Sequence, residues 1–233
     1  QVIDCGASLL DQQSEPHIVD FKPEPSCDGS FFMKCVGLTG GIGCGKTTLK
    51  HYLDGMGIPA IDTDLVARDL LRVGQPAYQA VVTRFGDECL TSDRSLNRTW
   101  LGTVIFKDVK QRHWLEGLLH PLIRSAWQEQ VTSWKEEGRP MSVVVIPLLY
   151  ETKAESAFDG VFCMACSNQE QVRRLQHRGW SDEHLEQRLQ SQWPLEKKMR
   201  HSDVVIWSEG PEETTHAQWD KAAAKLLQSA SKD

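Results

Sequence analysis

The first residues with an evident chemistry are Gly40-Gly41-Ile42-Gly43-Cys44-Gly45-Lys46-Thr47, which fit the pattern G-x-x-x-x-G-K-[ST]. Glycines permit a tight turn whose backbone N–H groups converge on one anion, and the helix that follows adds unpaired amides and its positive end. Lys46 can reach the β- and γ-phosphates of a nucleotide, and the Thr47 hydroxyl can ligate Mg²⁺. A nucleoside triphosphate is the expected ligand, with Gly41, Ile42, Gly43, Cys44, Gly45, Lys46, Thr47 and Thr48 around it. The competing reading is a glycine-rich turn with an incidental lysine. Cys44, at a helix start and two residues from Lys46, has the surroundings that lower a thiol pKa. Its modification would then block the nucleotide; as a tolerated small residue it would do nothing.

A second group follows in "IDTDLVAR" (61–68). Asp62 and Asp64 fall where a short strand gives way to a helix, on the sheet edge where ligands of parallel α/β domains sit. An Asp before a helix can simply be its N-cap, a reading that competes evenly at Asp62, whereas Asp64 is expected to be catalytic. A guanine-specific switch would need a segment like N-K-x-D, which the sequence lacks. A motor ATPase would carry an apolar strand ending in Asp, but "VVVIPLLYE" ends with Glu151 as its one acid. Phosphoryl transfer to a small acceptor remains. It needs a base or orienting group, cations for the transferring charge and a cover that excludes water.

The elements that must position these groups alternate between strand and helix. "KCVGLT" reads as a first strand, 46–56 as a helix, "IPAID" (58–62) as a second strand and 63–74 as a helix. Pro76 opens an amphipathic stretch to Gly86, "SLNRTWLGTVIF" reads as helical, and 108–137 as a long helix that Pro121 should break or kink. "MSVVVIPLL" (141–149) and "FDGVFCMAC" (158–166) are unbroken apolar runs, which predicts strands buried on both faces. Residues 168–201 are helical with interruptions at Gly179 and Pro194, then "DVVIW" (203–207) is a strand and 211–230 a closing helix. The expected architecture is a three-layer α/β/α P-loop nucleoside-triphosphate hydrolase fold with a parallel sheet. An acceptor-binding helical segment at about 75–137 and a helical lid at about 168–201 complete it.

The chain has 233 residues, 40% hydrophobic and 25% charged, enough for one substantial core. Its net charge of -6 is concentrated at one end: residues 1–32 carry six acids against Lys22 alone. Those residues also hold Pro16, Pro23 and Pro25 without periodicity, so they are expected to be a disordered acidic extension, with Met33 a candidate start. The near-neutral remainder offers no general nucleic-acid surface, and no apolar run approaches the ~20 residues of a membrane span. Seven cysteines are an odd number in a chain expected to be cytoplasmic, so free thiols are the default. Cys163 and Cys166 form a lone CxxC, read as buried small hydrophobes.

Taken together, "GLTGGIGCGKTTL", "GIPAIDTDLVAR", "LEGLLHPLIR", "IPLLYE" and "QVRRLQHR" resemble the dephospho-coenzyme A kinase family in order and separation, from about Met33 to about Gly210. The resemblance implies ATP-dependent phosphorylation of the ribose 3′-hydroxyl of dephospho-CoA. It makes Asp64 the acid that orients or deprotonates the hydroxyl, Lys46 the stabiliser of the transferred phosphoryl group, and Thr47 a contributor to Mg²⁺. Arg174 matches an arginine of the lid-side helix, Arg178 lies one turn on, and Arg68, His120 and Arg124 fall near the acceptor. Each has a plainer alternative: a solvated arginine face for Arg174 and Arg178, a local backbone bond for His120, and for the family-like Arg98 an acidic neighbour. ATP and dephospho-CoA are the expected partners, in a monomer or small homo-oligomer. Rival readings are another nucleoside or small-metabolite kinase and a regulatory ATPase. One departure is "IWSEG", where Ser208 stands in place of an Asn frequent in the family. Another is Ser202 in place of a small Ala, expected to be harmless.

Overall fold

Apolar runs with no polar face must lie inside a sheet covered on both sides. In the computed structural model, which describes residues 33–179, 189 and 192–229, this is where they lie. The expected extension at 1–32 and the middle of the 168–201 segment fall outside the described residues. The chain runs β1 (Lys34–Gly40), α1 (Lys46–Gly55), β2 (Ala60–Asp62), α2 (Thr63–Leu70), α3 (Pro76–Phe85), α4 (Arg98–Lys107) and α5 (Val109–Glu136). It continues through β3 (Met141–Val145), β4 (Gly160–Ala165), α6 (Asn168–His177), α7 (Leu195–His201), β5 (Val204–Trp207) and α8 (Glu212–Ser229). The five strands form one parallel sheet in the order β2-β3-β1-β4-β5. The chain leaves central β1 toward β2 on one side and later reaches β4 on the other. That change of direction opens a crevice at the carboxyl edge of β1.

Two cores cover the sheet. On one face Leu49 and Leu53 of α1 and Trp219 and Ala223 of α8 pack on Val36, Leu38, Val143 and Phe162. On the other, Trp127 of α5 packs with Val144, Leu149 and Tyr150. A third core lies away from the sheet, where Tyr78, Val81, Leu96, Leu101 and Leu115 join α3, α4 and the start of α5. Side-chain caps fix the helix starts: Asn97 accepts from Trp100 N, and Asp108 from Lys110 N and Gln111 N.

Two expectations change. β3 ends at Val145 rather than Leu149, because Pro147 has no N–H for the ladder. Ile146 N still reaches Leu38 O at 2.9 Å, after which the chain turns and Ala154 N bonds Leu149 O. The run looked like one strand because Leu149 and Tyr150 are buried too, but as a core-facing turn. Helix α5, in turn, passes through Pro121 unbroken. Losing one backbone bond there, a local cost of about 3 kcal/mol, does not end a helix of 28 residues anchored along its length by Leu115 and Trp127.

Candidate active site

The phosphate loop leaves β1 at Gly40, whose φ is +138°; a Cβ there would stand 2.2 Å from the Met164 carbonyl oxygen, so only glycine fits. Gly45 closes the loop as the left-handed N-cap of α1 (φ 83°). Lys46 Nζ donates to Gly40 O (2.9 Å) and Gly41 O (2.8 Å), folded back over its own loop. Burial pushes its pKa down from 10.5; Lys198 adds to the depression, while Cys44, Asp64 and Cys163 oppose it. Thr47 and Thr48 are exposed on the first turn of α1. Of the residues expected around the nucleotide, Gly43, Gly45 and Thr48 line a cleft beside the loop. Cys44 is turned the other way: it is fully buried, and Cys166 donates to it at 3.5 Å. That bond lowers the Cys44 pKa against the effect of burial. The described cysteines 35, 44, 89, 163 and 166 are all free and buried.

Helix α6 braces the loop. Gln171 Nε2 donates to Ile42 O at 2.6 Å. Arg174 donates from Nε to Glu170 (2.7 Å), from Nη1 to Gly43 O (3.3 Å) and Ser208 Oγ (3.1 Å), and from Nη2 to Ser208 O (2.6 Å). Arg173, and then Arg174, hold the Glu170 carboxyl down at about 2. Arg174 is therefore built into the loop and is no solvated face. Arg178, exposed at the end of α6, lines with Arg174 a cleft of about 210 Å³ shared by Gly43, Gly45, Thr48, Ser208 and His216. His216 stacks on Tyr52 at 3.8 Å, tying α8 to α1 beside this cleft.

Across the carboxyl edge lies a larger cavity of about 460 Å³, walled by α2, α5 and the turn after β3. Thr63 Oγ1 donates to Val145 O (3.0 Å) and pins α2 to the sheet. Asp62 accepts from Asp64 N (2.8 Å), so Asp62 is the cap of α2, and the Asp64 side chain lines the cavity. His120 and Arg124 line it from α5, together with Leu119, Ile123 and Trp127. Arg68 is exposed on α2 outside that lining, and its carbonyl accepts from Arg98 at 3.4 Å. The structure thus brings together Asp64, His120 and Arg124 on one side and the loop, Arg174 and Arg178 on the other. Arg68 is not among the residues lining either hollow.

Sequence reasoning passed over Lys198 and the engagement of Glu151. Lys198 Nζ donates to Pro147 O (2.6 Å) and pairs with Glu151 Oε1 (3.0 Å), which also accepts from Trp193 N (2.7 Å). Nothing in "LEKKMRH" marks Lys198 as buried and Lys197 as exposed except helix phase.

A phosphate loop at a strand–helix junction, a braced arginine and a carboxylate-bearing cavity across the same edge define a phosphotransferase of the P-loop class. The particular family follows from comparison. The profile of the dephospho-CoA kinase family matches residues 34–213, and the chain belongs to that family. It is 38% identical to a dephospho-CoA kinase of Bdellovibrio bacteriovorus over 75% of this chain and 87% of that one. It is likewise 38% identical to one of Thermosynechococcus vestitus over 82% and 94%. A crystal structure from Thermus thermophilus is similar at TM-score 0.71 and 28% identity, covering 83% of this chain and 97% of that one. The family transfers phosphate to an alcohol group. No described helix is long and apolar enough to cross a membrane.

Proposed function

We propose that the two hollows are the donor and acceptor halves of one reaction, transfer of the γ-phosphoryl group of ATP to the ribose 3′-hydroxyl of dephospho-CoA. The observation that carries this is the placement of Asp64. Its backbone N–H is capped by Asp62, its side chain lines the larger cavity, and its charge is felt at Lys46. The cavity's mixture of Leu119, Ile123 and Trp127 with His120 and Arg124 suits an acceptor with an apolar arm and anionic groups.

Asp64 orients the hydroxyl and takes its proton as the bond to phosphorus forms. Lys46 leaves the Gly40 and Gly41 carbonyls and moves onto the phosphates, where Arg174, already aimed by Glu170 and Ser208, stabilises the transferred charge. Arg178 adds to the donor cleft, and His120 and Arg124 hold the acceptor. Arg68 is left as a second contact at the rim, one turn beyond Asp64 on α2.

The hard hydroxyl oxygen of exposed Thr47 fits Mg²⁺, which takes few protein ligands when phosphates supply the rest. Bound with ATP, the ion would neutralise charge on the β- and γ-phosphates. The 168–201 segment, whose α6 braces the loop, is proposed as the cover, and 75–137 as the acceptor-binding segment. Both hollows come from one chain, so the reading needs no second copy. Free buried thiols suit a cytoplasmic location.

The test is ADP release with ATP and Mg²⁺, first without acceptor and then with dephospho-CoA, adenosine or shikimate. Stimulation by dephospho-CoA alone is expected. Acceptor-independent hydrolysis would favour a regulatory ATPase.

A further inference from the structure

Lys198 has no exposed surface, yet it is paired with Glu151 beside the turn that walls the acceptor cavity. Its ammonium holds the carbonyl of Pro147, which lines the acceptor cavity. The same carbonyl accepts from Thr39 Oγ1 at 3.3 Å, one residue before the phosphate loop begins. Leu195, one turn earlier on α7, comes against Gly41 of the loop. The Lys198 charge is felt at Lys46 as repulsion. Its counter-ion Glu151 is satisfied on Oε1 by Lys198 and by Trp193 N, while Oε2 is buried with no hydrogen-bond partner among the described residues.

A purely structural role accounts poorly for this pair. The desolvation of a buried charge and its largely buried partner is often only balanced by their attraction, and an apolar pair of similar volume is commonly as stable or more so. The pair stands where the chain turns out of β3, at the edge on which phosphoryl transfer is proposed to occur.

We propose that Lys198 is a positioning residue for phosphoryl transfer: it fixes the Pro147 wall of the acceptor cavity against the phosphate loop. It acts through Pro147 and Glu151 and touches no reacting atom. The inference rests on the kinase reading, which wild-type turnover with dephospho-CoA checks separately.

The test compares wild type, Lys198→Met, the double variant Lys198→Met/Glu151→Gln and Lys198→Arg by Tm, ATP titration, and kcat and KM for each substrate. Lys198→Met alone leaves a buried carboxylate without its counter-ion and should lose stability; Glu151→Gln removes that charge. The double variant is expected to regain a Tm within about 5 °C of wild type and to bind ATP within about threefold. Its kcat should still fall by about 10- to 100-fold, the scale of a misplaced reacting group, with KM for dephospho-CoA raised. Lys198→Arg, which keeps the charge, should recover most of that kcat. A double variant that regains both Tm and kcat overturns the proposal. If it fails to fold, Lys198→Met/Glu151→Leu, an apolar pair with no donor for Pro147 O, is read by the same split. A wild type inactive on dephospho-CoA would refute the kinase reading instead.

Discussion

Asp64→Asn isolates the proposed chemistry better than any other single change. Asn has the size of Asp, and the Asp64 side chain is not the cap of its helix, a task that falls to Asp62. The cost to folding is therefore confined to a lost acid in the first turn of α2, about 0.3–1 kcal/mol, or at most a few degrees in Tm. Turnover should respond on a different scale. General-base action contributes about 10²–10⁴-fold, which at about 1.36 kcal/mol per decade is roughly 2.7–5.4 kcal/mol of barrier. ATP affinity should hold or improve slightly, because Asp64 is an attraction that phosphate must outcompete at Lys46. Coupled ADP release against dephospho-CoA gives kcat and KM, calorimetric titration gives the ATP Kd, and a thermal melt checks the fold. Asp62→Asn is the matched control: Asn caps a helix as well as Asp, so kcat should stay near wild type. A kcat above about a tenth of wild type for Asp64→Asn would refute the base or orienting role, as would equal losses in both variants.

The phosphate loop yields three further expectations. Lys46→Met should abolish transfer yet raise Tm at neutral pH, by about 0.5–2 kcal/mol of stability. The folded Lys46 pKa lies below 10.5, so the unfolded chain binds the extra proton between the two values. Wild-type stability therefore rises with pH across that window, and the advantage of the Met variant should shrink over it in melts taken at increasing pH. Arg174→Lys should raise KM for ATP by roughly 10-fold or more, since one ammonium cannot span Glu170, Gly43 O and both Ser208 oxygens at about 1.5–3 kcal/mol per charged bond. Cys44→Ser should keep kcat/KM for ATP within about threefold, because its side chain faces Cys166 and not the ligand. Iodoacetamide should label Cys44 only after denaturation, a slow native reaction being the measure of its burial.

Periodicity and punctuation carried most of the fold. Strands β1, β4 and β5 and helices α1 and α8 stand close to their expected limits, because glycines, caps and unbroken apolar runs act over a few residues, whereas α2 ends at Leu70, four residues before the expected stop at Gly74. The misreadings share a cause. "MSVVVIPLL" is apolar throughout because all of it is in or near the core, and apolarity does not distinguish a strand from a turn packed beneath a helix. Pro121 breaks an isolated helix but not one held at Leu115 and Trp127 on either side. Apart from these, Ser202 shares a hydrogen bond with Tyr150 OH at 2.8 Å, a partner 52 residues away that no local pattern announces.

What the sequence determined by itself was the donor half: a phosphate loop is a property of contiguous backbone, so its glycines, lysine and threonine announce it without the rest of the molecule. The inward turn of Cys44, the bracing of Arg174 by Ser208 and the burial of Lys198 were decided by tertiary structure alone. Each depends on a partner brought from a distant part of the chain or on the exact phase of a helix against the sheet. Charge makes the difference sharpest: Lys197 and Lys198 are the same letter, and only packing decides that one meets water and the other meets Glu151.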